Sequence, residues 1–210
     1  MGAGLERFAP FAYDGPMKKL FFILMFFAQP VAAEKLSLGE LSKYLNDLYT
    51  AQGDFTQINP DGSTSTGKIF IKRPGRIRFE YTPPEKALVL AGGGQVAIFD
   101  PKAGEPTRFP LNQTPLHVIL KRHVDLTATD MVVDHAFDGT RTAIVAQDPD
   151  RPEYGYIQLV FTDNPVQLRE WIVDDGAGSA TQVIIGNWAE GVRVPGRLFT
   201  IQSEMQKYAQ

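Results

Sequence analysis

Between Gly67 and Tyr81 the chain reads GKIFIKRPGRIRFEY, and its apolar positions alternate. Ile69 and Ile71 share one face of a first arm, and Arg73 continues that face. In a second arm Ile77, Phe79 and Tyr81 share one face, while Arg76, Arg78 and Glu80 share the other. Side chains alternate along a strand with period 2, so the pattern predicts a β-hairpin bent at Pro74-Gly75, with one apolar and one wet face. Arg73 is the exception, a charge at the edge of the apolar side.

Upstream the period is helical. Leu38, Leu41, Leu45 and Leu48 recur at spacings of three and four, which predicts an amphipathic helix from Leu36 to Gln52 stopped by Gly53. Ser37 followed by Glu40 makes a capping box at its start. Strands are predicted at Asp54–Ile58, Lys86–Leu90 and Gln95–Phe99, the last two joined through Gly92-Gly93-Gly94. Pro115, with Thr114 as cap, opens a short helix through Leu120 in which Leu116, Ile119 and Leu120 share a face. From Lys121 to Asp130 another helical turn is an open possibility.

Strands resume at Met131–Val133, Arg141–Ala146, Tyr156–Thr162, Leu168–Val173, Thr181–Trp188 and Arg197–Gln202. Their separators are rich in Asp, Gly, Pro and Asn, and such regular spacing predicts an antiparallel meander, sandwich or barrel of about ten strands. No linker divides the chain, so one mainly β domain with helices over one face is the simplest reading.

Not all of the 210 residues belong to that domain. Met17 to Ala33 reads MKKLFFILMFFAQPVAA, with Lys18 and Lys19 before an apolar run and Val31-Ala32-Ala33 after it. That is the pattern of a secretory signal peptide, and the run is shorter than the ~20 residues of a membrane span. Residues 1–16 fit no export pattern and are expected to be a mis-assigned extension, leaving 34–210 as the exported domain. There is no cysteine, so no disulfide framework supports the fold and no thiol follows the leader for lipid attachment. The expected product is unanchored. The net charge of −3 argues against nucleic acid or an anionic membrane as a main partner, while leaving room for a local basic patch.

Catalytic signals are sparse. His117, His123 and His135 lack metal-ligand spacing, and neither a nucleophile elbow nor a phosphate loop is present. Asp148, Asp150, Glu153, Asp174 and Asp175 fall in turns, where Asp caps and bends the chain. No cofactor or metal is expected. What is abundant is one-sided apolar surface: Ile69, Ile71, Ile77 and Phe79, with Val89, Leu159, Phe161, Leu45, Leu116 and Ile119 assigned to the same side. Such a surface is either an ordinary core or the wall of a cavity for an apolar ligand.

The order of motifs resembles a known family. After one amphipathic helix come G-D-F-T-Q (Gly53–Gln57), I-K-R-P (Ile71–Pro74), I-R-F-E-Y (Ile77–Tyr81), P-P-E (Pro83–Glu85), F-D-P (Phe99–Pro101) and T-P-L-H-V-I-L (Thr114–Leu120). This is similar to the periplasmic outer-membrane lipoprotein carrier proteins, the LolA family, over about residues 36–202. The resemblance implies an unclosed antiparallel β-barrel of 10–11 strands whose concave apolar face is covered by helices. It implies a periplasmic, monomeric carrier and no enzyme. Its partners would be acylated lipoproteins, an inner-membrane ABC-type release complex and an outer-membrane receptor. Arg73 matches the arginine that bonds lid backbone groups in the closed, empty state. Leu45, Ile77 and Phe79 match cavity positions, and Leu116 and Ile119 match lid positions. Ala97 stands where an aromatic is expected, and His117 puts a polar group in the lid. Another amphiphile or a glycolipid as ligand is the alternative on the same fold.

Overall fold

The computed structural model describes residues 33–128 and 130–208. The expected extension and leader lie outside those residues, apart from Ala33. Helix α1 spans Leu38–Asp47. Ser37 Oγ accepts from the Glu40 amide at 3.2 Å and the Glu40 carboxylate accepts from the Ser37 amide at 2.8 Å, so the capping box is complete. The Ser37 hydroxyl, which donates to the exposed Glu40 carboxylate at 2.7 Å, and the Ser37 amide together hold that carboxyl below its usual value. Replacing Ser37 with Ala leaves first-turn amides unmet and is expected to cost about 1 kcal/mol in a urea titration.

The helix ends at Asp47 with Leu48 as its cap, short of the expected Gln52, because the next strand begins at Thr50. Gly53 is therefore no helix stop. It lies inside that strand beside a bulge, where a Cβ would sit 2.2 Å from the Asn187 carbonyl.

Eleven strands follow: β1 Thr50–Ile58, β2 Thr64–Lys72, β3 Ile77–Tyr81, β4 Leu88–Gly92, β5 Gln95–Phe99, β6 Thr107–Pro110, β7 Val132–Phe137, β8 Arg141–Gln147, β9 Tyr156–Thr162, β10 Gln167–Asp174 and β11 Ala180–Glu190. They form one antiparallel sheet in the order β6-β5-β4-β3-β2-β1-β11-β10-β9-β8-β7. The first and last strands pair in the middle, and β6 and β7 are unjoined edges, so the barrel stays open. Register shifts at Gly53/Phe55, Leu168/Glu170 and Val132/Asp134 mark bulges, which increase twist and curl the sheet. Strand β6 carries one apolar residue, Phe109, and gives little periodic signal; its Pro110 is tolerated at an edge.

Two short segments lie on the concave side. One is a 3₁₀ turn at Leu111–Gln113, and the other is helix α2, His117–Leu120. Thr114 does not cap α2: its hydroxyl donates to the Leu111 carbonyl at 2.8 Å and closes the preceding turn. Between Lys121 and Ala128 the chain runs in bends and turns, with no further helix.

The expected strand Arg197–Gln202 is a correction. Residues Gly196–Phe199 form a 3₁₀ turn and Ile201–Tyr208 form helix α3. Leu198, Ile201, Met205 and Tyr208 recur at helical spacings and pack on the convex face against Leu90, Ala97 and Phe99. Gly92 permits the approach: a Cβ there would meet the Phe199 carbonyl at 2.2 Å. The sheet thus has two apolar clusters, a large one on the concave side and a small one outside.

Candidate functional site

The concave face is built from cross-strand pairs. Ile69 lies opposite Phe79, Ile71 opposite Ile77, Phe79 opposite Val89, and Leu159 opposite both Ile144 and Trp171. Leu41, Leu45 and Leu48 come down onto them from the first helical segment, and Val118, Ile119, Leu120, Val124 and Leu126 from α2 and the segment after it. Of the residues expected on this side, Leu45, Ile69, Ile71, Ile77, Phe79, Ile119, Leu159 and Phe161 are buried in one cluster; Val89 and Leu116 are half-buried at its margin. Aromatic rings meet edge-on through its centre, with centroids 5.3 Å apart for Phe55–Phe79 and 6.1 Å for Phe79–Trp171. Beside Val89, Tyr81, Gln57 and Ser65 an open cleft of about 320 Å³ remains at one end of the face. Burial pushes the Tyr81 phenol up to about 12, and its hydroxyl donates to Gln57 Oε1 at 2.6 Å.

At the other end the covering segment is stitched to the rim by polar bonds. Arg73 Nη2 donates to the Lys121 carbonyl at 2.8 Å, and the Gly75 amide donates to the Leu120 carbonyl at 2.7 Å. Asn46 on α1 clamps Val124 twice, accepting from its amide at 2.9 Å and donating to its carbonyl at 2.8 Å. Ser42 Oγ accepts from the Leu126 amide at 2.9 Å. The Arg73 side chain continues the face of Ile69 and Ile71, as the alternation requires, and only 7% of the residue is exposed. Apolar contact and a short row of hydrogen bonds thus hold the cover down.

A sequence model described as outer membrane lipoprotein carrier protein LolA matches residues 46–202. The chain belongs to the LolA family. The outer-membrane lipoprotein carrier protein of Methylococcus capsulatus is 26% identical over 80% of this chain and 84% of its own length. That of Azotobacter vinelandii is 24% identical over 76% and 80%. Among solved structures, a Vibrio parahaemolyticus domain assigned to outer membrane lipoprotein sorting overlays 80% of this chain and 97% of its own at a TM-score of 0.51, with 9% identity. That likeness concerns the fold alone.

One expectation drawn from the LolA resemblance, for Ala97, changes with the geometry, and another, for His117, does not. Ala97 is no gap in the concave wall. It pairs with Leu90 and belongs to the outer cluster under the C-terminal segment, while Val96 faces inward. His117 does sit in the cover, and its Nδ1 is buried without a hydrogen-bond partner, in a small pocket with Thr114, Gln147, Asp148 and Tyr154. Burial and the neighbouring Lys121 charge lower its pKa, against an opposing pull from Asp148.

An imidazole with a lowered pKa in the closed form takes up a proton more readily when exposed. Protonation of His117 therefore does not oppose the packed cover above the ordinary imidazole pKa of about 6.5, and opposes it progressively as pH falls from there towards the lowered value. Amide exchange in α2 is expected to speed up between pH 7.5 and pH 5 by more than the intrinsic pH correction allows. His117→Gln should flatten that response, and an unchanged response would assign it to other groups.

Alternation alone passes over Trp171, although it is one of the largest buried side chains of the face. The bulge at Leu168/Glu170 places Leu168 and Trp171, three apart, on the same side, which a period-2 reading misses. Asn46 and Ser42 are equally silent, since a polar residue on a helix gives no sign of the backbone it clamps. Among the described residues no group of three or more His, Cys, Asp or Glu is placed to hold a metal, and no helix is long and apolar enough to cross a membrane.

Proposed function

We propose that this chain is a periplasmic carrier that takes the acyl chains of lipoproteins against its concave face and hands them to an outer-membrane receptor. An inner-membrane ABC-type release complex would be the donor. The observation that carries this reading is an apolar interior covered by separate helical pieces whose rim bonds converge on Arg73, Gly75, Asn46 and Ser42. The family membership and the names of the relatives support it.

The physics suits carriage. A ~16-carbon chain leaving water gains on the order of 10 kcal/mol at roughly 0.8 kcal/mol per CH₂. A bilayer offers the same gain, so a carrier must bind well enough to keep cargo dissolved and weakly enough to let it go. Here the empty form fills its own interior with Leu41, Leu45, Ile119 and Leu120. Cargo must displace those contacts and break the rim bonds, and each loss subtracts from net affinity. Closing again recovers them and helps expel the cargo.

A direct test uses a diacylated lipopeptide and the same peptide without acyl chains. The lipidated form is expected to co-elute with the protein and the bare form to elute alone. Equal behaviour of the two would refute the reading. Mass spectrometry of species bound to freshly purified protein separates lipoproteins from another amphiphile.

A further inference from the structure

Beside the bond from Arg73 to the Lys121 carbonyl lies a pocket of about 230 Å³ lined by Asn46, Tyr49, Arg73, Pro74, Arg122 and His123. Its walls come from three places: the end of α1, the β2–β3 turn and the segment after α2. Three of the six residues are cationic or can become so. Arg122 and His123 are exposed, and Tyr49 is the most exposed large apolar side chain described, at 69%.

Arg73 is the unusual member. It is more than nine-tenths buried, its Nη2 is used on the Lys121 carbonyl, and its Nε is buried with no hydrogen-bond partner. Among the described residues no carboxylate forms an ion pair with Arg73, Arg122 or His123. The acid that feels His123 is Asp125, and its carboxylate accepts from the Thr127 amide and hydroxyl instead. Asn46 bonds to Val124 through both its amide nitrogen and its amide oxygen. A buried guanidinium without a counter-ion is costly, and a multi-oxygen anion is the group whose shape matches its fork of donors.

We propose that this pocket is an oxyanion site for a phosphate group, and that the anion competes with the Lys121 carbonyl for Arg73. A bound phosphate would satisfy the guanidinium from the open side, draw Arg122 and His123 inward and weaken the bond that holds the cover. The exposed Tyr49 ring beside the cations suits the boundary of a lipid headgroup layer, where an aromatic with one wet end is favoured. The phosphate can therefore belong to an anionic phospholipid or be free in solution. Neither source requires that the concave face carry lipoproteins.

The test titrates the full exported domain with inorganic phosphate at constant ionic strength, and separately with phosphatidylglycerol and phosphatidylcholine vesicles. Hydrogen exchange at the Gly75 amide, which donates to the Leu120 carbonyl, reports the cover. Phosphate is expected to bind and to speed that exchange, whereas chloride at matched ionic strength does not. Arg122→Gln and His123→Gln, both at exposed positions, should each weaken binding about threefold.

Binding to phosphatidylglycerol vesicles without binding to inorganic phosphate would assign the site to a headgroup and still support the proposal. Binding unchanged in both variants, an identical response to chloride, or binding of an acidic peptide with no response to either phosphate source would overturn it. Phosphate binding that leaves Gly75 exchange unaltered would refute the competition for Arg73. Lipopeptide capture on the same preparation separates this outcome from a failure of the carrier reading.

Discussion

Replacing Arg73 with Leu should give a protein that still takes up lipidated cargo but passes it on slowly. The substitution removes the bond from Nη2 to the Lys121 carbonyl and leaves that acceptor unmet when the cover closes. A hydrogen bond from a charged donor contributes about 1.5–3 kcal/mol, all of it to the closed, empty state. Without it the loaded state gains relative weight, and cargo affinity should rise by about tenfold to a hundredfold. Opposing this, Leu also removes a guanidinium whose desolvation and unmet Nε burden the closed form. The bond is expected to prevail because its loss leaves a part-buried carbonyl without a donor. Arg73→Lys should fall between, since an ammonium can reach one carbonyl but cannot fill the planar slot. Transfer from the loaded variant to an acceptor membrane, timed against wild type, reads the effect; transfer at the wild-type rate would remove Arg73 from the latch.

Arg78→Ala is expected to cost about 3–5 kcal/mol of stability and to free the C-terminal segment before the sheet unfolds. Arg78 reaches through the convex side, where its Nε donates to Glu80 at 2.6 Å and its Nη1 donates to the Leu198 carbonyl at 2.9 Å and to Glu204 at 3.1 Å. The Arg78 and Glu204 side chains are only 9% and 12% exposed. Removing the cation leaves Glu204 half-compensated by Lys207 and orphans a carbonyl next to Phe199. Burial raises the Glu204 pKa, but the bond from Lys207 and the charge of Arg78 outweigh that and hold it below the ordinary glutamate value. Its contribution is thus present above about pH 4.5 and lost as pH falls below it, so wild type in acid should come to resemble the variant. Hydrogen exchange should find α3 losing protection first, with Glu204→Gln milder than Arg78→Ala. Uniform loss across all strands would mean that the outer cluster is no separate layer.

The half of the fold written in strict alternation was legible. Ile69, Ile71, Ile77 and Phe79 pair across β2 and β3 as their period demands, and the capping box of α1 closes as its spacing demands. Legibility failed where the backbone breaks its own period. The bulge before Glu170 hid Trp171, and Gly53 looks like a helix stop because a close approach to Asn187 cannot be seen in sequence. The stretch Arg197–Gln202 carries apolar residues compatible with either period, and only the cluster formed by Leu90, Ala97 and Phe99 on the convex face selects the helix. The site divided in the same way. Apolar positions could be assigned to a side, but the clamps from Asn46 and Ser42 depend on which backbone groups the fold brings to them.

The most direct test of the carrier reading is release. A protein of residues 34–210 added to spheroplasts making labelled lipoproteins should bring newly made lipoproteins into the soluble fraction, in complex with the protein and in proportion to the amount added. If the label stays with the membrane at every concentration, while the same preparation is folded and monodisperse, the chain is not a lipoprotein carrier.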